Sequence, residues 1–453
     1  MFNIFKNQLS DLKIKSIVND VNSISDTESD DIKWELIQPL VKGLAEHKNA
    51  GLGIIKLVDN DHFSVDQSAE LLFNVYQAYD EDDEVIIKIG KSLESARDFD
   101  DLNAPPPMSP LFDKIVHRLS EMALEEENET IEAQIHDSLS TAARLCARQY
   151  DKLAEKSYAR VTELLPKASW AHYSQGLFFK TRARFEDGVV SNQTAISLTD
   201  NPTQAYFWNL GICATGSGQG EIALKVWKEQ GQKIEMGRFD LPEGGYPSCK
   251  VRLAQFPLSE RNADNDHPGL EETIWIERLS PCHGIVRSVL FKDLGIDYGD
   301  VILFDGAPIT YHKYGDDRIA VFPHLATLKK QNYQFYDFKG TQDEAGRLGR
   351  ISSNLDDDAV IYSHTENIKI LCATCWREEE TQHQHDQTEE KHVVSGRIAA
   401  PRNMDPKTLL DQIDVALSNE PQNRVFSPDL CRAAGFGDRA LIETRRFSML
   451  SSN

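Results

Sequence analysis

The chain has 453 residues, 40% of them hydrophobic and 9% aromatic, which is the composition of a folded protein of about three domains. Its formal charge is −23, concentrated at the front, where residues 1–136 hold 28 acids against 12 bases. That balance disfavours nucleic acid and anionic membrane as partners, and no run reaches the ~18 apolar residues of a membrane span.

The opening, MFNIFKNQLSDLKIK, lacks the basic head, apolar core and cleavage site of a secretory signal. It reads as the first turns of an amphipathic helix. Seven cysteines (Cys146, Cys213, Cys249, Cys282, Cys372, Cys375 and Cys431) are scattered and odd in number. This usage fits reduced thiols and a cytoplasmic setting.

Residues 1–136 read as an acidic helical region. Ile32, Leu36, Leu40 and Leu44 recur every four residues and predict one apolar stripe, interrupted by Pro39. GLGIIKLVDNDHFSVD is a short apolar run bounded by Gly and Asp, readable as loop or strand. Two helices follow around the acidic knot Asp80–Glu84, the first with Leu71, Leu72, Val75 and Tyr76 at helical spacing. Three consecutive prolines mark a linker or corner at 101–110, after which Ile115, Leu119, Met122 and Leu124 are the expected inner face of another helix.

From 137 to 236 the chain repeats. Ala142, Gly176 and Gly211 lie 34 and 35 residues apart. Twelve positions further on in each unit stand Ala154, Gly188 and Ala223, and four beyond those Tyr158, Asn192 and Trp227. Small residues at two registers let paired helices approach, and a large residue at the third fills the space toward the next pair. This pattern resembles the tetratricopeptide repeat over about residues 138–236. The chain departs from the family pattern at Gly188, where Ala is preferred, and at Asn192, where Tyr or Phe is preferred. The resemblance implies stacked helical hairpins that form a protein-binding scaffold. The helices of residues 1–136 would extend or cap the same stack, since an array needs about three repeats to bury a continuous core.

A Gly- and Pro-rich stretch near 237–247 marks a boundary. Beyond it come strand-like runs, including CKVRLAQF, TIWIERL, GIVRSVLF, DVILFDG, RIAVF, YQFYDF, AVIYS, IKILCAT and HVVSGRI. Short helices are expected at 322–330 and at 405–418, the latter with Pro406 in its first turn and Leu409, Leu410, Ile413 and Leu417 on one face. Residues 240–453 therefore predict an α+β domain with a mainly antiparallel sheet, as a sandwich or a barrel-like closure. The polar stretches 341–359 and 376–392 are expected as loops.

Three constellations carry potential chemistry. Cys372 and Cys375, with His383 and His385 nearby, have zinc-ligand types, but the knuckle glycines of such sites are missing and the cysteines fall in a strand-like run. Cys282 and His283 sit in a turn between strands, with His312 and His324 as alternative imidazole partners for a thiolate. Asp305 and His312 flank a β unit and are an acid–base candidate pair, although Asp-Gly pairs such as Asp305-Gly306 are more often plain turns. No phosphate-cradling glycine loop, nucleophile elbow or His-Glu-x-x-His motif is present in the sequence.

The sequence thus points first to a cytoplasmic protein-interaction scaffold or adaptor, with Trp170, Tyr173, Tyr206 and Trp208 as candidate partner-binding aromatics. Its acidity suits a basic protein partner, as in an inhibitor or immunity role, with no cofactor, nucleic acid or membrane. The alternative is a cysteine/histidine-dependent hydrolase with its site in the C-terminal domain and the repeats selecting a protein substrate.

Overall fold

The computed structural model describes residues 9–23, 30–60, 62–96, 110–146, 148–314, 317–356, 358–367, 393–418, 420 and 422–450. The chain divides into two compact units, Met1–Ser217 with Glu260–His267, and Gly218–Ser259 with Pro268–Asn453. The architecture is an α-helical, repeat-bearing unit followed by a β-rich α+β unit.

The first unit is built from helices α1 (Asp11–Asn22), α2 (Asp30–Lys42), α3 (Lys48–Asp59), α4 (Val65–Ala78), α5 (Asp83–Ser92), α6 (Pro110–Glu125), α7 (Glu129–Leu145), α8 (Asp151–Leu164), α9 (Ser169–Thr181), α10 (Phe185–Ser197) and α11 (Gln204–Gly216). Local chemistry starts several of them. Ser64 and Gln67 form a reciprocal capping box at α4, and Asp82 and Asn128 cap α5 and α7 through their side-chain oxygens. One apolar core runs unbroken from Leu9 to Phe179, so the front helices and the hairpins share it.

Several expectations for the front helices need correction. GLGIIKLVDN is helix α3, neither loop nor strand. Gly51 and Gly53 belong to its buried face, where a Cβ would meet Val75 at 3.2 Å and Val18 at 3.3 Å. In α2 the inner face is Lys33, Ile37 and Leu40, with Leu44 buried just beyond the helix, while Ile32 and Leu36 are exposed. A strict four-residue step drifts ~40° per step around a 3.6-residue helix, so the predicted stripe winds off the core. Leu124 is exposed too, unlike Ile115, Leu119 and Met122.

The repeats keep their sequence period. α8 and α10 begin 34 residues apart, at Asp151 and Phe185, and α9 and α11 begin 35 apart, at Ser169 and Gln204. α10 packs on both α9 and α11. At Gly176 a Cβ would lie 2.5 Å from Asn192, and at Gly188 a Cβ would lie 2.6 Å from the Cys213 sulfur. Tyr158 of α8 fills space against Phe178 of α9, with ring centroids 5.3 Å apart.

In the second unit, α12 (Gly220–Glu229) packs on the antiparallel pair β1 (Ile234–Met236) and β2 (Pro242–Gly244). A six-stranded sheet follows: β3 (Cys249–Ala254), β4 (Glu271–Arg278), β5 (His283–Val286), β6 (Val301–Phe304), β7 (Thr310–Tyr314) and β8 (Asp317–Lys329). Its order is β3-β4-β5-β6-β8-β7, and a parallel pairing of β3 with β8 closes β3, β4, β5, β6 and β8 into a barrel. Val251, Leu253, Ile274, Ile276, Val286, Ile302, Phe304 and Phe322 share its core. The helix expected at 322–330 is strand β8, because its backbone pairs with β6, β7 and β3, and those pairings override local helical patterning.

A second, antiparallel sheet comprises β9 (Gln334–Thr341), β10 (Val360–Ser363), β11 (Val393–Ala400) and β12 (Arg424–Phe426), in the order β10-β11-β9-β12. The expected helix appears as Pro406–Leu417, capped by Asp405. It shares an apolar core with the sheet and with helices Pro428–Ala433 and Gly437–Met449. The polar stretch 341–359 contains a short helix, Arg347–Ile351. IKILCAT and 376–392 lie outside the described residues.

Candidate functional site

The first helices of two successive hairpins, α9 and α11, carry the predicted aromatics, and α7 precedes them. Trp170 sits in the first turn of α9 and remains 41% exposed. The Lys91 ammonium lies 6.0 Å from its ring centroid and 2.5 Å from an Asp137 carboxylate oxygen. One turn further, Tyr173 stacks on Tyr206 of α11, with centroids 4.4 Å apart and planes 13° from parallel. Burial pushes the Tyr173 phenol above its ordinary range. Beside it the buried Arg144 guanidinium is paired with Glu94 at 2.9 Å. Trp208 is half-buried on α11.

The structure therefore joins Tyr173 to Tyr206 and places Trp170 beside Lys91. Lys91, Glu94 and Arg144 were not expected at this face. They come from helices whose order in the chain says nothing of their proximity, and no spacing signal marks them. The exposed indole next to an ammonium offers apolar and π surface, whereas Tyr206 of the stacked pair is buried. The carboxylates of this face are paired, Asp137 with Lys91 and Glu94 with Arg144.

Ser280 Oγ accepts the amides of Cys282 (3.2 Å) and His283 (3.1 Å) and lies 2.5 Å from His283 Nδ1. With its lone pairs so used, the hydroxyl donates to Nδ1, leaving the proton of His283 on Nε2. That Nε2 is buried and has no hydrogen-bond partner among the described residues. Burial, with a smaller push from Arg238, takes the His283 pKa down to about 3. His312 Nδ1 faces Lys250 Nζ at 3.3 Å, and burial together with Lys250 and Arg252 takes its pKa down to about 4. Asp305 accepts the amide of Ala307 at 3.2 Å, the geometry of a side-chain-capped turn. Neither His283 nor His312 is hydrogen-bonded to Cys282 or Asp305. His324 is fully buried on β8, across from Phe304.

Cys372, Cys375, His383 and His385 lie outside the described residues. Among the described residues, no group of three or more His, Cys, Asp or Glu is placed to hold a metal ion, and no helix is long and apolar enough to cross a membrane.

No protein-family model and no curated protein matches the chain. Among solved structures it is similar to the MamA protein, at 18% identity over 36% of this chain and 80% of that one, with a TM-score of 0.27. It is also similar to MamA 41-end from Desulfovibrio magneticus RS-1, at 19% identity over 40% and 97% of the two chains, with a TM-score of 0.25. A third is YrrB, described as a TPR protein with an unusual peptide-binding site, at 12% identity over 43% and 91%, with a TM-score of 0.26. At such low scores the assignment stands on the period of the hairpins, their small-residue contacts and their helix lengths. These hairpins are tetratricopeptide-like repeats. The residues that break the family pattern within them are explained by contact. Gly188 faces the Cys213 sulfur, and Asn192 closes over Gly176 while donating to the Gly188 carbonyl at 2.7 Å.

Proposed function

We propose that the chain is a protein-interaction scaffold whose face on α7, α9 and α11 holds a protein partner. The observation that carries this reading is the exposed Trp170 set beside Lys91 and the Tyr173–Tyr206 stack. Large aromatics of this kind act as binding anchors because they bury much area at little entropic cost. The charge of −23 selects a basic partner, in an inhibitory or immunity-type role, and repels nucleic acid and anionic membrane. The cytoplasm is the proposed setting.

The test is affinity purification of a tagged full-length chain, with co-purifying proteins identified by mass spectrometry. A stoichiometric basic partner is expected, released by rising salt and lost from Trp170→Ala at unchanged circular dichroism. Trp170 is the chosen position because its side chain is the most exposed of the four and its removal leaves the packing nearest to intact. If no partner co-purifies, or if the partner is held equally by Trp170→Ala, the scaffold reading of this face is wrong.

A further inference from the structure

The helix Gly437–Met449 of the second unit is anchored through one face. Ala440 lies in the apolar core. Glu443 is buried, where one of its oxygens accepts the Ser427 amide and the other the Arg439 guanidinium, each at 2.8 Å. Arg439 also reaches Asp414 of the helix Pro406–Leu417 at 2.7 Å. Further along, Lys339 Nζ of β9 lies 4.8 Å from the Phe447 ring centroid, and the Arg446 guanidinium lies 5.5 Å from that of Phe426. These contacts fix the rotation of the helix about its own axis.

The opposite face is exposed and apolar. Leu441 is 66% exposed, Ile442 51% and Met449 72%. Asp438 and Arg445 are exposed as well, and neither side chain forms an ion pair among the described residues. Steps of three and four residues place Asp438, Leu441, Ile442, Arg445 and Met449 on one stripe. One exposed leucine needs no explanation, but three large apolar side chains along one stripe of a 13-residue helix do. Residues 424–450 hold five arginines against three acids. The acidity that keeps other surfaces of two copies apart is therefore absent here.

The stripe is self-complementary. Its centre lies between Leu441 and Ile442, and Asp438 and Arg445 stand three residues outside that pair on either side. We propose that the helix Gly437–Met449 is a homodimer surface, packing antiparallel on the same helix of a second copy about a two-fold axis. Leu441 of each copy meets Ile442 of the other, and Asp438 of each meets Arg445 of the other. Met449 falls beside the start of the second copy's helix, where Gly435 and Gly437 leave open space. A parallel pairing would set Asp438 against Asp438 and Arg445 against Arg445, so charge selects the antiparallel one. One patch serves both copies, as a two-fold interface requires. A helix of this length spans ~20 Å, and contact along it falls short of the ~1,600 Å2 of a standard stable interface. The dimer is therefore weak and concentration-dependent. This inference is independent of the scaffold reading, which concerns the other unit.

The test is sedimentation velocity of the full-length chain over a range of about 1 to 100 µM, where a weak dimer forms and dissociates. A monomer–dimer equilibrium is expected. Its dissociation constant should rise about tenfold or more in Leu441→Asp and in either charge reversal, Asp438→Arg or Arg445→Asp. The two single reversals mixed together should associate like the natural chain, because each supplies the charge that the other lacks. The double variant Asp438→Arg/Arg445→Asp should dimerise with itself again. All the changed side chains are exposed, and circular dichroism checks that each variant is folded. The proposal is overturned if the chain stays monomeric throughout this range, or if Leu441→Asp and both reversals dimerise like the natural chain. It is overturned equally if the mixture or the double variant fails to regain association; the double variant is the arm that a parallel pairing could not rescue.

Discussion

Arg148 is fastened twice to Asp266, its backbone amide to one carboxylate oxygen and its Nε to the other, each at 3.1 Å. The two residues are 118 positions apart. Arg148 is buried, and Arg182, itself paired with Asp151 at 2.7 Å, adds a second cation nearby. Asp266 lies in the short segment Glu260–His267, which belongs to the helical unit although β3 and β4 flank it in sequence. The pair is thus the pin that holds this excursion of the β3–β4 connection.

Removing the carboxylate would leave the buried Arg148 near Arg182, with the more distant Asp151 carboxylate at 3.9 Å offsetting its charge less well. Asp266→Asn is therefore expected to destabilise the helical unit by about 3 kcal/mol. Arg261, buried within the segment, should become a trypsin site in the variant. Urea unfolding and timed trypsin digestion with mass spectrometry read both effects. An unchanged midpoint together with protection of Arg261 equal to that of the natural chain would show that the pin carries no load.

How much of this was legible in sequence depends on the range of the determining contact. Ala142, Gly176, Ala154 and Tyr158 could be read because each acts within one hairpin or toward its neighbour, at a fixed offset. β8 could not, because its conformation follows from backbone pairing with three other strands, and its own residues also satisfy a helical pattern. Helix α3 was obscured by Gly51 and Gly53, which look like breakers until the side chains of Val75 and Val18 are in place. At the candidate face, Tyr173 and Tyr206 were nameable from composition, but their stacking and the approach of Lys91 and Arg144 belong to tertiary packing.

Gly188 offers a test of the repeat packing in which sign and magnitude both matter. Alanine within a helix is worth about 1 kcal/mol over glycine. Here the new methyl would sit 2.6 Å from the Cys213 sulfur, and overpacking of that kind costs about 1–3 kcal/mol. Gly188→Ala is thus expected to be neutral to destabilising in the natural chain. In a Cys213→Ala background the sulfur is gone, and Gly188→Ala should become stabilising by up to about 1 kcal/mol. A double-mutant cycle by urea unfolding measures the coupling. Equal effects of Gly188→Ala in both backgrounds would mean that α10 and α11 do not meet at this contact.

Cysteine reactivity separates the scaffold from the hydrolase at its most specific point. A nucleophilic cysteine needs exposure and a neighbour that stabilises the thiolate. Cys282 has no exposed surface, and His283 beside it is held neutral and turned to Ser280. Burial pushes the Cys249 thiol up to about 11 and, with Glu443 adding to it, the Cys431 thiol up to about 12. Cys146 and Cys213 are buried as well. Iodoacetamide at pH 8 is therefore expected to leave all five unmodified in the folded chain over a time that consumes free glutathione, and to modify all five in urea. Peptide mapping assigns each site. Protection at Cys282 would remove the nucleophile that the hydrolase reading requires. Alkylation of folded Cys282 as fast as glutathione would instead mean that its turn opens to solvent and yields a thiolate, and the barrel would then be the place to look for activity.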